Sequence, residues 1–304
     1  MPQTQGTFGF YFHIGEALYG VTARHVLFGL NQANEEYTYV SFDDFLKSIQ
    51  AEIDRLFNTV TFLDSCIKAF TGKPLRAGPL ETAKTDLKQT NEKIEALKEF
   101  YNMMQMDWSE PKSRVIGHVV WAPPITGNTL PHGYTQDVCV VKLDKNRFMP
   151  NFVQNVINLG VKIDPGEFMS MMYDDKADFD YPWDRHLFKL WSILPAEQIS
   201  YSTAGDVPVR FVFKNGSTTG TTIGRLSRFQ SKVRMYGLTG TFTSTETPVL
   251  PYGSNSYFGT FSEDGDSGAV VCGPNVDIAY TTPMHWLWDE VILARFPGAS
   301  LYFD

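Results

Sequence analysis

The chain has 304 residues, 43% of them apolar, and a formal net charge of −8. That length and apolar content leave room for a sizeable core with an insertion, and the acidic balance, with no basic aromatic patch, argues against a nucleic-acid partner. No apolar run of about 18 residues is present, so no membrane span or membrane partner is expected, and Met1-Pro2-Gln3-Thr4-Gln5 lacks the charged start and apolar stretch of a signal peptide.

In chain order, strands are predicted at 6–14 and 17–22, with Gly15 at the turn of a hairpin. His25 follows directly on the second strand, in Val21-Thr22-Ala23-Arg24-His25-Val26. A third strand is predicted at 37–42. Residues 41–108 then change period. Leu46, Ile49, Ile53, Leu56, Val60, Leu63, Ile67 and Phe70 alternate steps of three and four, as do Leu80, Ala83, Leu87, Thr90, Ile94, Leu97, Tyr101 and Met104. These are the a and d positions of two helices, 43–70 and 80–106. Thr71-Gly72-Lys73-Pro74 and Gly78-Pro79 separate them. A connection this short predicts an antiparallel coiled-coil hairpin. It would serve as a spacer or as an arm for a protein partner or self-association.

Strands are predicted again at 114–125 and 134–143. Within the second of these, Asp137 opens the buried-strand pattern Asp137-Val138-Cys139-Val140-Val141-Lys142-Leu143. His25 and Asp137 stand 112 residues apart, but only 44 once the 68 residues of 41–108 are set aside. That is a natural separation for two side chains on one small β-domain. Between 144 and 205 the reading is a linker with short helices at 152–160 and 185–194 and an aromatic turn at Asp180–Asp184.

The most informative stretch is Glu263-Asp264-Gly265-Asp266-Ser267-Gly268-Ala269-Val270-Val271. A serine on a glycine-flanked loop entering a strand is positioned as a nucleophile, and the N–H groups of Gly265 and Ser267 could together form an oxyanion hole. A polar turn before a strand would look the same in isolation. A serine nucleophile needs a base and the base an orienting group. His25, Asp137 and Ser267 supply these in the chain order histidine, aspartate, serine. The other histidines fall in a hairpin turn (His13), an apolar strand (His118), a Gly/Pro loop (His132) and aromatic surroundings (His186, His285).

Together these motifs resemble those of the chymotrypsin/trypsin-like serine proteases. Thr22-Ala23-Arg24-His25 resembles T-A-A-H, Gln136–Leu143 resembles D-I-A-L-L-K-L, and Gly265–Val271 resembles the nucleophile loop. Lys214-Asn215-Gly216-Ser217-Thr218-Thr219-Gly220-Thr221-Thr222-Ile223-Gly224 resembles the K-x-G-x-x-T-G-x-T-x-G hairpin of second barrels. Residues 278–283 and 286–293 resemble the last strand and C-terminal helix. The start, Gly6-Thr7-Phe8-Gly9-Phe10, is similar to the G-x-G-F strand of intracellular HtrA-type enzymes rather than to a zymogen. The resemblance implies a mainly β fold of two chymotrypsin-like barrels. The first barrel would be 1–40 plus 109–143, the hairpin insert 41–108, the linker 144–205, and the second barrel with a C-terminal helix 206–304. It implies serine endopeptidase activity on protein or peptide substrates, with His25, Asp137 and Ser267 catalytic and Phe261 at the position of the specificity-pocket floor. The three scattered cysteines, Cys66, Cys139 and Cys272, predict reduced thiols in an intracellular, cytoplasmic setting. No cysteine or histidine pair has ligand spacing, so neither a metal nor another cofactor is expected.

The pattern departs from the family in three places. The first barrel shows five strands where six are expected. Asp266, which in the family meets a newly cut N-terminus, has no activation site to serve it and is expected to bond backbone groups. After Val270-Val271-Cys272, only Gly273-Pro274-Asn275 precede the next strand, so a substrate-binding strand looks deleted. Two functions therefore remain open: a working endopeptidase, or a protease-like scaffold acting through its hairpin.

Overall fold

The computed structural model describes residues 6–28, 42–108, 110, 115–148, 152, 154–160, 162–172, 180–195, 211–227, 229–237, 240–252, 260–273, 276–277 and 282–303. The chain divides into two compact units, Met1–Tyr37 with Gly117–Asp304, and Thr38–Ile116.

In the larger unit, β1 (Phe10–Ile14) and β2 (Ala17–Thr22) form a tight antiparallel hairpin, followed by one helical turn, α1 (Arg24–Leu27). β3 (Gly117–Trp121) and β6 (Cys139–Leu143) complete a four-stranded sheet of order β1-β2-β6-β3, while β4 (Thr126–Thr129) and β5 (Tyr134–Gln136) pair as a separate ribbon. β6 is central, which explains its unbroken apolar run. Val140 faces a cluster with Phe10, Phe12 and the C-terminal residues Trp286 and Ile292, while Cys139, Val141 and Leu143 face Leu18, Phe28 and Val119.

After α4 (Lys145–Phe148), β7 (Val156–Asn158) and β8 (Leu187–Lys189) pair antiparallel on either side of α5 (Pro165–Met172). This corrects the helices expected at 152–160 and 185–194. Short apolar runs do not distinguish helix from strand. Here Asn155 settles the matter by exchanging hydrogen bonds with the Tyr11 backbone, Tyr11 N–H to Oδ1 at 2.7 Å and Nδ2 to the Tyr11 carbonyl at 2.8 Å. The helix begins instead at Asp164, whose carboxylate accepts from the Gly166 N–H, with Pro165 at the first helical position.

The second sheet has the order β13-β10-β9-β14-β15, from β9 (Phe211–Gly216), β10 (Gly220–Leu226), β13 (Val249–Pro251), β14 (Val271–Gly273) and β15 (Val276–Asp277). β11 (Ser231–Gly237) and β12 (Gly240–Glu246) form a further ribbon. The helical segment Met284–Arg295, π-wound over Leu287–Ile292, packs Trp286, Val291 and Ile292 onto the first sheet.

The smaller unit is a helical pair, α2 (Phe42–Phe70) and α3 (Ala77–Trp108). Ile49, Ile53 and Leu56 pack against Ile94, Leu97 and Tyr101, so the helices run antiparallel. α3 starts before Gly78-Pro79 rather than after it, because proline is tolerated in a first turn.

Among the described residues, 37% are helical and 28% are strand. The fold is thus mixed rather than mainly β, since two long helices outweigh many short strands. All pairings are antiparallel, but the described strands make open sheets and ribbons rather than two closed barrels. The expected strand at 37–42 lies outside the described residues except for Phe42, which opens α2. The expected last strand at 278–283 also lies outside them except for Thr282 and Pro283, which are not in a strand. Strand 6–14 begins only at Phe10, and 114–125 contracts to β3. No described helix is long and apolar enough to cross a membrane.

Candidate active site

Sheet register brings His25 and Asp137 together. Thr22, the last residue of β2, pairs with Cys139, the first of β6. The chain leaving β2 and the chain entering β6 therefore meet at one end of the sheet. Asp137 uses both oxygens. Oδ1 accepts the His25 backbone N–H at 3.1 Å, and Oδ2 accepts the ring Nδ1–H at 2.5 Å. With Nδ1 committed as donor, Nε2 is the acceptor, and the Ser267 hydroxyl donates to it at 2.8 Å. The His25 side chain is 44% exposed and that of Asp137 21%, so the pair is reachable from solvent. The Asp137 hydrogen bond raises the His25 pKa above its ordinary 6.5. Burial opposes this, while the charges of Asp137 and Asp264 add to it. Burial pushes the thiol of Cys139, two residues from Asp137, up to about 12, so it stays protonated and unreactive.

The Ser267 loop is held by a different kind of structure. Asp266 points inward and pairs with Lys214, Nζ to Oδ2 at 2.8 Å, with side chains 3% and 0% exposed. Its carboxylate also accepts the Thr219 hydroxyl at 2.6 Å and the N–H groups of Thr218, Thr219 and Glu263 at 2.9 to 3.1 Å. Burial by itself would raise this carboxyl. The Lys214 ammonium, the Thr219 hydroxyl and the backbone donors outweigh it and hold Asp266 far below the usual carboxylate range. Gly216 makes room, since a Cβ there would stand 2.2 Å from Oδ1 of Asp266.

Hydroxyls on the β9–β10 turn grip the loop carbonyls. Thr218 donates to the Asp264 oxygen at 2.7 Å and Ser217 to the Gly265 oxygen at 3.1 Å. In a trans peptide the N–H points opposite to the carbonyl, so the Gly265 N–H is directed away from that turn. Gly265 and Gly268 adopt φ of +101° and +89°, open to glycine at little cost. The irregular segment 6–9 stitches the loop to the first sheet. The Thr7 N–H donates to the Ser267 carbonyl at 2.8 Å, and the Thr22 hydroxyl donates to the Thr7 carbonyl at 2.8 Å.

A cleft of about 430 Å³ opens beside these groups, lined by His25, Asp137, Ser267, Phe261 and Glu246, among others. Phe261 is buried against Leu194, Val212, Leu226, Val249 and Val271, with the Lys214 ammonium 5.5 Å from its ring. Of the other described histidines, three bind elsewhere: His132 with Glu290, His186 with Tyr181 and Gly160, and His13 with Tyr302. Among the described residues no group of three or more His, Cys, Asp or Glu is placed to hold a metal. None of the three cysteines forms a disulfide.

Sequence reasoning missed the Lys214 ammonium, the Thr7 bridge and the Ser217–Thr219 clamp. Lys214 was visible within its motif, but only the pairing of Lys214 with Val271 across β9 and β14 carries it to the Ser267 loop.

No protein-family model and no curated protein matches the sequence. Among solved structures, the chain is similar to a protein described as a glutamic-acid-specific serine protease that uses a histidine triad in substrate binding. The similarity is 13% identity and a TM-score of 0.34, over 97% of this chain and 92% of that one. Likeness at that level assigns neither a family nor an activity.

Proposed function

We propose that the protein is a serine endopeptidase, with Ser267 as nucleophile, His25 as general base and acid, and Asp137 as the group that orients the imidazole. The observation that carries this reading is the continuous chain of hydrogen bonds from Asp137 Oδ2 through His25 to Ser267 Oγ, at 2.5 and 2.8 Å. As Ser267 attacks a peptide carbonyl, its proton passes to His25 Nε2, and the Asp137 carboxylate steadies the imidazolium that forms. His25 then returns the proton to the leaving amine, releasing the first product. Water, deprotonated by the same imidazole, cleaves the acyl-enzyme.

The Gly265 and Ser267 N–H groups are the candidates for binding the oxyanion. Among the described residues neither has another hydrogen-bond partner, and the clamped Asp264 carbonyl sets the direction of the first. The Lys214–Asp266 pair supports a loop organised without a new N-terminus, in keeping with an enzyme that needs no activating cut. The hairpin is proposed as a protein-binding or self-association arm.

Digestion of denatured casein and of a diverse peptide mixture tests the reading, with Ser267→Ala as control. Fragments made by the wild type and absent from the variant support it. Equal inertness of the two proteins would favour the scaffold function instead.

A further inference from the structure

Glu246 ends β12 and is 4% exposed, yet its residue lines the same cleft as His25 and Ser267. The other charged groups of that cleft are already matched. Asp137 serves His25, and Asp266 serves Lys214. Among the described residues, Glu246 has one partner, the neutral Thr135 hydroxyl, which donates to Oε1 at 2.6 Å, and no ion pair. A buried carboxylate answered by one neutral donor is undercompensated, and a cation is what completes it.

A second observation lies on the same strand face. Ser244 stands two residues before Glu246, and its register partner across the ribbon is Val233, which also lines the cleft. Cross-strand partners and alternate residues share a face. The face bearing Val233, Ser244 and Glu246 is therefore the one turned to the cleft. Ser244 is 2% exposed, and among the described residues its hydroxyl has no hydrogen-bond partner. Glu246 thus presents its carboxylate to a cleft with largely apolar walls, and the unanswered Ser244 hydroxyl lies buried on the same strand face. A cationic head on a methylene stem fits that chemistry, and a guanidinium fits it better than an ammonium because its fork can bond both carboxylate oxygens at once. About 430 Å³ holds one long side chain.

We infer that Glu246 selects a peptide carrying a basic side chain, arginine before lysine, close to the bond that Ser267 attacks. This rests on the endopeptidase reading of the site. The charge comes from β12 and not from the pocket-floor position, where Phe261 stands.

Binding, rather than turnover, tests the inference. Ser267→Ala protein is titrated calorimetrically with acetylated, amidated pentapeptide libraries, randomised around a central arginine or around its uncharged isostere citrulline. The arginine library is expected to bind about tenfold tighter or more, and adding Glu246→Gln is expected to bring the ratio close to one. Equal binding of the two libraries by Ser267→Ala overturns the inference without recourse to a second variant. So does an arginine preference that survives Glu246→Gln. Fluorophosphonate labelling of the wild type at Ser267 reports separately on the endopeptidase reading.

Discussion

The two halves of the site are built in different ways. His25 and Asp137 are placed by backbone register, because two adjacent strands end and begin at the same level and Asp137 holds both the main chain and the ring of His25. Ser267 is placed by side chains. A buried ion pair, three hydroxyls and an irregular N-terminal segment hold its loop. Register is shared among many main-chain bonds, so one substitution seldom undoes it. A side-chain network concentrated on one buried charge fails when a single member is lost.

The largest effect should come from the first half without disturbing its fold. Asp137→Asn keeps the shape but favours the wrong imidazole tautomer. Turnover is expected to fall by roughly 10⁴, with an unchanged melting curve at pH values where His25 is deprotonated. A large loss of stability in this variant would mean that Asp137 holds the fold and not only the ring.

Lys214→Met strikes the second half. It strands the Asp266 carboxylate, and breaking a buried pair costs roughly 3–5 kcal/mol, measurable by urea unfolding. Its Ser267 reactivity should fall with its stability, unlike the Asp137 variant. If Lys214→Met is as stable as wild type, the ion pair does not anchor the loop. Gly216→Ala is milder. Its Cβ drives into the Asp266 carboxylate, for about 1–3 kcal/mol, and slower Ser267 labelling is expected in protein that remains folded.

The smallest effects lie in pH dependence, and the two halves differ in sign. Asp266 has a depressed folded pKa. Its contribution to stability is present above the unfolded value of about 3.9 and is lost as pH falls below it towards the folded value. Asp266→Asn should flatten that acid limb in melting experiments. His25 has a raised folded pKa, so its contribution is complete below about 6.5 and fades as pH rises through the folded value. The same deprotonation yields the free base, so turnover should rise over the window in which this stability term declines. An acid limb of the rate profile centred below 6.5 would contradict the arrangement.

The same contrast governs what the sequence revealed. His25, Asp137 and Ser267 could be picked out because each sits in a short local pattern at a strand end, and the helical pair could be read from a repeat of threes and fours. What binds Ser267 in place was not legible. Lys214 reaches Asp266 only through the pairing of β9 with β14, and Thr7 is remote from Ser267 in sequence. The misread segments 152–160 and 185–194 failed for a related reason. Their apolar runs are too short to carry a period, and Asn155 commits to extended backbone through a partner, Tyr11, more than a hundred residues away. α5 was missed although its signal, Asp164 followed by Pro165 and Glu167, was local.

The central claim, that Ser267 is an activated nucleophile, is tested most directly by a fluorophosphonate probe with the adduct located by mass spectrometry. Labelling is predicted on Ser267, with a rate that rises as His25 deprotonates and collapses in His25→Ala. A folded protein that leaves Ser267 unlabelled, or that labels it equally fast without His25, would contradict it.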